Sequence, residues 1–305
     1  MKEFDLFADS DCGIAENPLW NQSEQMLYWK GFKPDQSNMI FRKSMNTASD
    51  RFEAFQLPVG LIGGFAFAGD GGLLIFAQAG KIWHWQPGNP PVMVAKLPEA
   101  DDKTYFNDLI ADPEGRIYCG VLAHDYFNPK GKGQYGSLWR FDPDGSFHRL
   151  ESAVGGCPNG MGFSPDRKYF YFAVTDEQTV YRYDYSRDTG RLDNRRVFIK
   201  APGCDGLTVD AEGCMWLAHW GGQLTRYSPE GETLAVYSFP PEIRAISSVI
   251  FGGPDYRTIF ITTANYPIDS KAGNFLGGGV LALTQTVTGV PEFPAAGPGT
   301  PPRPR

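Results

Sequence analysis

A chain of 305 residues that is 42% hydrophobic and 21% charged can bury a large core, so a disordered or low-complexity protein is excluded. A formal charge of −7 works against nucleic-acid backbones and anionic membranes as partners, because both would be repelled. Aromatics at 14% and 36 glycines point to many short strands joined by tight turns, since rings pack on pleated surfaces and glycine supplies positive φ.

The chain opens on MKEFDLFADSDCGIAENPLW, which has neither a basic segment nor a continuous apolar one, and no stretch of about 18 apolar residues follows. A cytoplasmic protein with no membrane partner is the expectation. Five cysteines (Cys12, Cys119, Cys157, Cys204, Cys214) without C-x-x-C spacing fit reduced thiols better than a disulfide framework or a zinc site.

From Pro18 onward one phrase recurs, an apolar pair leading through a small polar turn to a second apolar strand. Its copies are PLWNQSEQMLYW from Pro18, AFAGDGGLLIFA from Ala66, IADPEGRIYCG from Ile110, GFSPDRKYFYFA from Gly162, TVDAEGCMWLA from Thr208 and VIFGGPDYRTIFIT from Val249. A second pair of strand-like runs follows most copies, as in SLWRFDPDGSFHRL and QLTRYSPEGETLAVYSF. D-P-E-G, D-P-D-G, D-A-E-G and S-P-E-G are turns with a mechanism: Asp or Ser bonds the backbone at the first position and Gly relieves the last. Recurring units of four strands predict an all-β, six-bladed β-propeller with four antiparallel strands per blade. An irregular β-sandwich gives no reason for near-constant spacing. One domain is expected over 1–290, its ring closed by strands from both chain ends (before Glu16 and near GGGVLALTQ), and 291–305, rich in Pro and Gly, reads as a flexible tail.

If the units are equivalent, the residue five positions before each inner turn starts the innermost strand at one mouth of the channel. That column is Glu16, Gly64, Asn107, Asn159, Asp205 and Ser247. Any one Asn or Asp there caps a strand start. Two carboxylates converging on an axis repel unless a cation or a shared proton lies between them. The column offers oxygen and no histidine or thiolate, so one divalent ion among Ca²⁺, Mg²⁺, Mn²⁺, Fe²⁺ and Zn²⁺ is the expected cofactor, in an open site rather than a closed structural zinc site.

A-E-N-P-L-W (15–20), F-N-D-L-I-A-D-P-E-G-R (106–116), P-N-G-M-G-F-S-P-D (158–166), C-D-G-L-T-V-D-A-E-G-C-M-W-L-A (204–218) and V-I-F-G-G-P-D (249–255) occur in this order. Over about residues 10–290 the chain resembles the senescence-marker-protein (regucalcin), gluconolactonase and luciferin-regenerating-enzyme family. The resemblance implies a six-bladed propeller with one divalent metal that hydrolyses a sugar lactone to its acid. By motif it places the metal ligands on Glu16, Asn159 and Asp205 and a substrate-contacting amide on Asn107. Family members acting on aldonolactones often carry Arg where this chain has Tyr105, which removes a forked cation that would grip hydroxyls. A substrate-binding acid falls near Asp125, with His124 beside it as a further contact or proton shuttle.

The mechanism expected is Lewis-acid polarisation of the lactone carbonyl, with Asp205 accepting the proton of the attacking water and Asn107 and Tyr105 positioning the ring. The substrate expected is a small-molecule lactone, and neither Cys157 nor Cys204 is required. G-x-S-x-G, H-E-x-x-H and phosphate-loop motifs are absent from the sequence. The alternatives are a metal-dependent arylesterase or phosphotriesterase, and a non-catalytic Ca²⁺-binding propeller.

Overall fold

The computed structural model describes residues 4–33, 38–46, 51–127, 135–265 and 277–297. Among them lie twenty-four strands: β1 Asp5–Ala8, β2 Ile14–Asn21, β3 Met26–Phe32, β4 Asn38–Ser44, β5 Glu53–Gln56, β6 Ile62–Phe67, β7 Leu73–Ala77, β8 Lys81–Trp85, β9 Val92–Lys96, β10 Phe106–Ala111, β11 Ile117–Val121, β12 Gly136–Phe141, β13 Phe147–Val154, β14 Pro158–Phe163, β15 Tyr169–Val174, β16 Thr179–Ser186, β17 Arg191–Lys200, β18 Cys204–Val209, β19 Met215–His219, β20 Gln223–Tyr227, β21 Thr233–Ser238, β22 Ala245–Gly252, β23 Thr258–Ala264 and β24 Val280–Thr284. The one helical element described is a 3₁₀ turn at Gln78–Gly80. The all-β expectation is met, and no described helix is long and apolar enough to cross a membrane.

Four sheets are four-stranded antiparallel meanders, β6–β9, β10–β13, β14–β17 and β18–β21. A fifth has eight strands and joins β2–β5 to β22–β24 and β1. Its two halves meet through a single pair, Ile14 with Ala264. β1 pairs antiparallel with β24, so a strand from the beginning of the chain lies beside one from its end.

The chain divides into two compact units, the first running up to Leu57 and again from Ala201 to Pro291, the second comprising Pro58–Lys200 and the chain from Glu292 on. Each has its own apolar interior. Phe76, Phe106, Phe141 and Ile117 pack together in the second unit, and Trp216, Phe251, Ile259 and Leu281 in the first. Inner strands are buried on both faces: all six residues of β14 and of β18 are enclosed, which is why the repeat reads as apolar runs rather than strict alternation.

The hairpin turns, inner (Gly115, Gly213) and outer (Gly145, Gly231), form as their sequences require. Gly115, Gly145, Gly213 and Gly231 each donate N–H to the carbonyl three residues back at 2.9 Å, with φ between 80° and 93°. Asp112 Oδ1 accepts the N–H groups of Glu114 and Arg116, and Asp210 Oδ1 those of Glu212 and Cys214.

Residues 298–305 of the segment read as a flexible tail lie outside the described residues. Within 292–297, Ala295 bridges Ala68, its N–H donating to Phe67 O at 2.7 Å and its carbonyl accepting from Gly69 N at 2.9 Å. Ala296 N donates to Gly115 O at 2.9 Å, and Ala295 is fully enclosed. These backbone bonds are made by a segment whose composition alone signals no partner.

Candidate metal centre and substrate site

Every inner strand breaks register where the column residue stands. The shifts fall between Glu16 and Leu19, Ile62 and Gly64, Phe106 and Leu109, Pro158 and Met161, Cys204 and Leu207, and Ile246 and Ser248. A bulge puts two residues opposite one and re-aims a side chain out of the pleat. The sequences at the breaks suit this: Asn17, after Glu16, takes φ 50°, which Asn tolerates better than most residues. Gly206, after Asp205, has no room for a side chain, since a Cβ there would lie 2.1 Å from Ser248 Oγ.

In the first unit the contacts order the inner strands β18, β22 and β2. Gly206 abuts Ser248, and Ser247 Oγ donates to Ala15 O at 2.5 Å. Asp205, Ser247 and Glu16 therefore stand on successive strands. Asp205 is 5% exposed. Glu16 Oε2 is 2.7 Å from Lys30 Nζ.

The second unit repeats the arrangement with β6, β10 and β14. Gly63 abuts Phe106 O, and Asn107 Nδ2 donates to Pro158 O at 2.8 Å. A carbonyl can only accept, so this bond fixes the amide and turns Asn107 Oδ1 to the other side. Asn159, 7% exposed, directs Nδ2 to Thr175 Oγ1 at 3.0 Å and toward Cys157 Sγ at 3.9 Å, which leaves its Oδ1 as the donor atom for a cation. The same device thus appears in both units: a column side chain (Ser247 or Asn107) donates to the carbonyl just before the next column residue.

The remaining expected residues lie on the second unit. Tyr105 packs edge to face on Phe127 with centroids 5.2 Å apart, and its carbonyl accepts from Leu122 N. His124 Nε2 is 2.9 Å from Asp101 Oδ2, and this hydrogen bond holds the exposed Asp101 carboxyl below its ordinary range. Asp125, at φ 59°, is paired with Lys103 at 2.9 Å. All five cysteines are free. Burial pushes the Cys12 thiol up to about 12 and raises Cys119 as well, so both are thiols, not thiolates.

Hard oxygen donors are what the column supplies. Glu16 and Asp205 on the first unit carry carboxylates, and Asn159 on the second carries an amide oxygen whose nitrogen is already engaged; each by itself is the kind of donor a divalent ion takes. A different trio, Asp210, Glu212 and Cys214, also clusters in the first unit. It is poorly suited, because Asp210 Oδ2 already accepts from Trp216 Nε1 at 2.9 Å and from Arg226 at 2.7 and 2.9 Å. A guanidinium occupies the place a metal would need.

Two residues near the column escaped the sequence reading. Lys30 is one. The other is His219, which pairs with Cys204 across β18 and β19. Its Nδ1 lies 2.9 Å from Pro202 O. A carbonyl accepts only, so the Nδ1–H tautomer is required. Burial holds the imidazole below its ordinary pKa, so it is neutral at pH 7. Together with the Trp220 N–H donated to Gly203 O at 2.8 Å, this fixes the turn that leads into Asp205. The A-H-W-G-G run was visible in the sequence, but its link to residues 201–204 depends on strand pairing.

The family model described as the SMP-30/gluconolactonase/LRE-like region matches residues 14–265. The chain is 36% identical over 298 residues to the pentonolactonase XacC of Haloferax volcanii, covering 93% of this chain and 95% of that protein. It is 31% identical over 288 residues to the 6-deoxy-6-sulfogluconolactonase of Pseudomonas putida, covering 92% and 94%. In fold it is similar to a luciferin-regenerating enzyme (TM-score 0.84, 23% identity, 97% and 99% covered) and to a calcium-binding regucalcin of Agrobacterium tumefaciens (TM-score 0.83, 24% identity, 97% of each covered). With bulged inner strands, a column of oxygen donors and these relatives, the chain belongs to the SMP-30/gluconolactonase/LRE-like family.

Proposed function

We propose that this protein is a divalent-metal-dependent lactonase that opens a sugar lactone to the corresponding acid, built as a single six-bladed propeller over 1–290 with Glu16, Asn159 and Asp205 as metal ligands. The observation that carries the reading is the register break at every column residue, since a bulge recurring at the same position of each inner strand serves to aim side chains. The names of the two lactonase relatives support the substrate class, and the calcium-binding regucalcin supports a metal. The pairing of β1 with β24 supports closure of a ring by both chain ends.

Glu16, Asn159 and Asp205 would hold the divalent ion, which would supply Lewis acidity for the lactone carbonyl. Asp205 accepts the proton of the attacking water, and Glu16 and Asn159 act as ligands only. Asn107 presents Oδ1 to a ring hydroxyl, held in that orientation by its bond to Pro158 O. Tyr105 lines the ring beside Phe127. Asp125 and His124 carry exposed or half-exposed ion pairs that a substrate hydroxyl can replace, because such pairs are weak in water.

The test is acid release from a panel of aldonolactones, aryl esters and phosphotriesters by the metal-stripped protein, with Ca²⁺, Mg²⁺, Mn²⁺, Fe²⁺ or Zn²⁺ added back. Metal-dependent hydrolysis of aldonolactones above the other two classes is expected. Tight metal binding with hydrolysis of none of the three would replace this reading with a Ca²⁺-binding propeller.

A further inference from the structure

Lys30 is an unusual residue for its place. It sits in the middle of β3, opposite Glu16 on one side and Ile40 on the other. Its side chain is 3% exposed, Nζ lies 2.7 Å from Glu16 Oε2, and the ammonium stands 4.9 Å over the Phe32 ring. Burying an ammonium is costly unless an anion meets it, and Glu16 is that anion. The Glu16–Lys30 pair is the last regular one before the β2 register break, so the lysine grips the glutamate where the strand turns it out of the pleat.

We infer that Lys30 sets the charge of the metal centre: it takes one oxygen of Glu16, orients the other, and cancels one of the two carboxylate charges. The inference rests on the metal-centre reading above. Glu16 and Asp205 alone would neutralise a divalent ion. With Lys30 beside them the three side chains together cancel only one of the ion's two charges, which weakens hold on the ion and favours an anion forming next to it. Lys30 touches a ligand rather than the substrate, so it is a positioning residue.

Calorimetric titration of the metal-stripped full chain with Mn²⁺ separates charge from geometry. Lys30→Gln keeps a donor for Glu16 and removes the charge, so its dissociation constant should fall at least tenfold from that of the parent. Lys30→Met, which keeps the volume but no donor, should also bind more tightly, and Lys30→Arg should match the parent. Equal or weaker binding in Lys30→Gln, with an unchanged melting temperature, overturns the inference. Glu16→Gln in the parent background tests the underlying reading separately: Mn²⁺ binding must be lost. Binding absent in the parent and gained in Lys30→Gln would sink the proposed function yet uphold the charge effect. Binding absent in both would overturn the two together.

Discussion

Two acidic residues of the first unit, Asp210 and Asp205, lie on or just after one strand, both buried, and their settings diverge. Asp210 opens an inner turn and accepts hydrogen bonds from two backbone N–H groups, an indole and a guanidinium. Asp205 stands five residues earlier, inside a bulge, on a strand next to the one carrying Ser247. The first is committed to holding a hairpin together; the second stands at the register break of an inner strand. An acid cluster by itself marks neither, and what separates them is the local backbone, a tight turn in one case and a bulge in the other.

Substitutions sharpen the contrast. The largest effect on function is expected from Asp205→Ala and Glu16→Ala, which should abolish both metal retention and lactone hydrolysis while circular dichroism stays that of the parent; full activity after metal add-back in either variant removes it from the site. Asp210→Ala should do the reverse. It takes the acceptor from the Trp216 indole and two turn N–H groups, while Arg226 keeps Glu212 at 2.7 Å, and costs about 2–3 kcal/mol in denaturant unfolding, with turnover per folded molecule preserved. Next in size, Asn107→Ala should keep the metal and lower kcat/KM by roughly 10–100-fold; metal loss in that variant would make Asn107 a fourth ligand. Cys157→Ser and Cys204→Ser should each retain activity, and loss in both would give the thiols a role.

The smallest effect is one of pH. Desolvation pushes the Glu292 carboxyl up to about 7. A carboxyl raised in the folded state binds its proton more tightly there than when unfolded, so its contribution to stability is full below about 4.5 and lost as pH rises through 7. Melting temperature should therefore fall between pH 5 and 8.5 by more in the parent than in Glu292→Gln. Equal falls would show that Glu292 is solvated.

Much of this architecture could be read from the chain. The inner hairpins appeared as repeats because their strands are apolar on both faces and their turns carry Asp or Ser first and Gly last. The column followed from repeat phase, and N-D, N-G and D-G pairs at Asn107, Asn159 and Asp205 carry a trace of the bulges, being small and tolerant of irregular backbone. Lys30 was not legible. In sequence it is one lysine in an apolar strand, and only the pairing of β2 with β3 brings it to Glu16. Residues 292–297 were missed for a related reason: Pro and Gly suppress strand signals, yet Ala295 needs only backbone groups to bridge Phe67 and Gly69.

The central claim, that Glu16, Asn159 and Asp205 hold one divalent ion, is tested most directly by ion stoichiometry. Equilibrium titration of the metal-stripped parent and of Asp205→Asn with Mn²⁺, followed by elemental analysis, should give one ion per parent chain and none per variant chain. The same stoichiometry and affinity in both would contradict it.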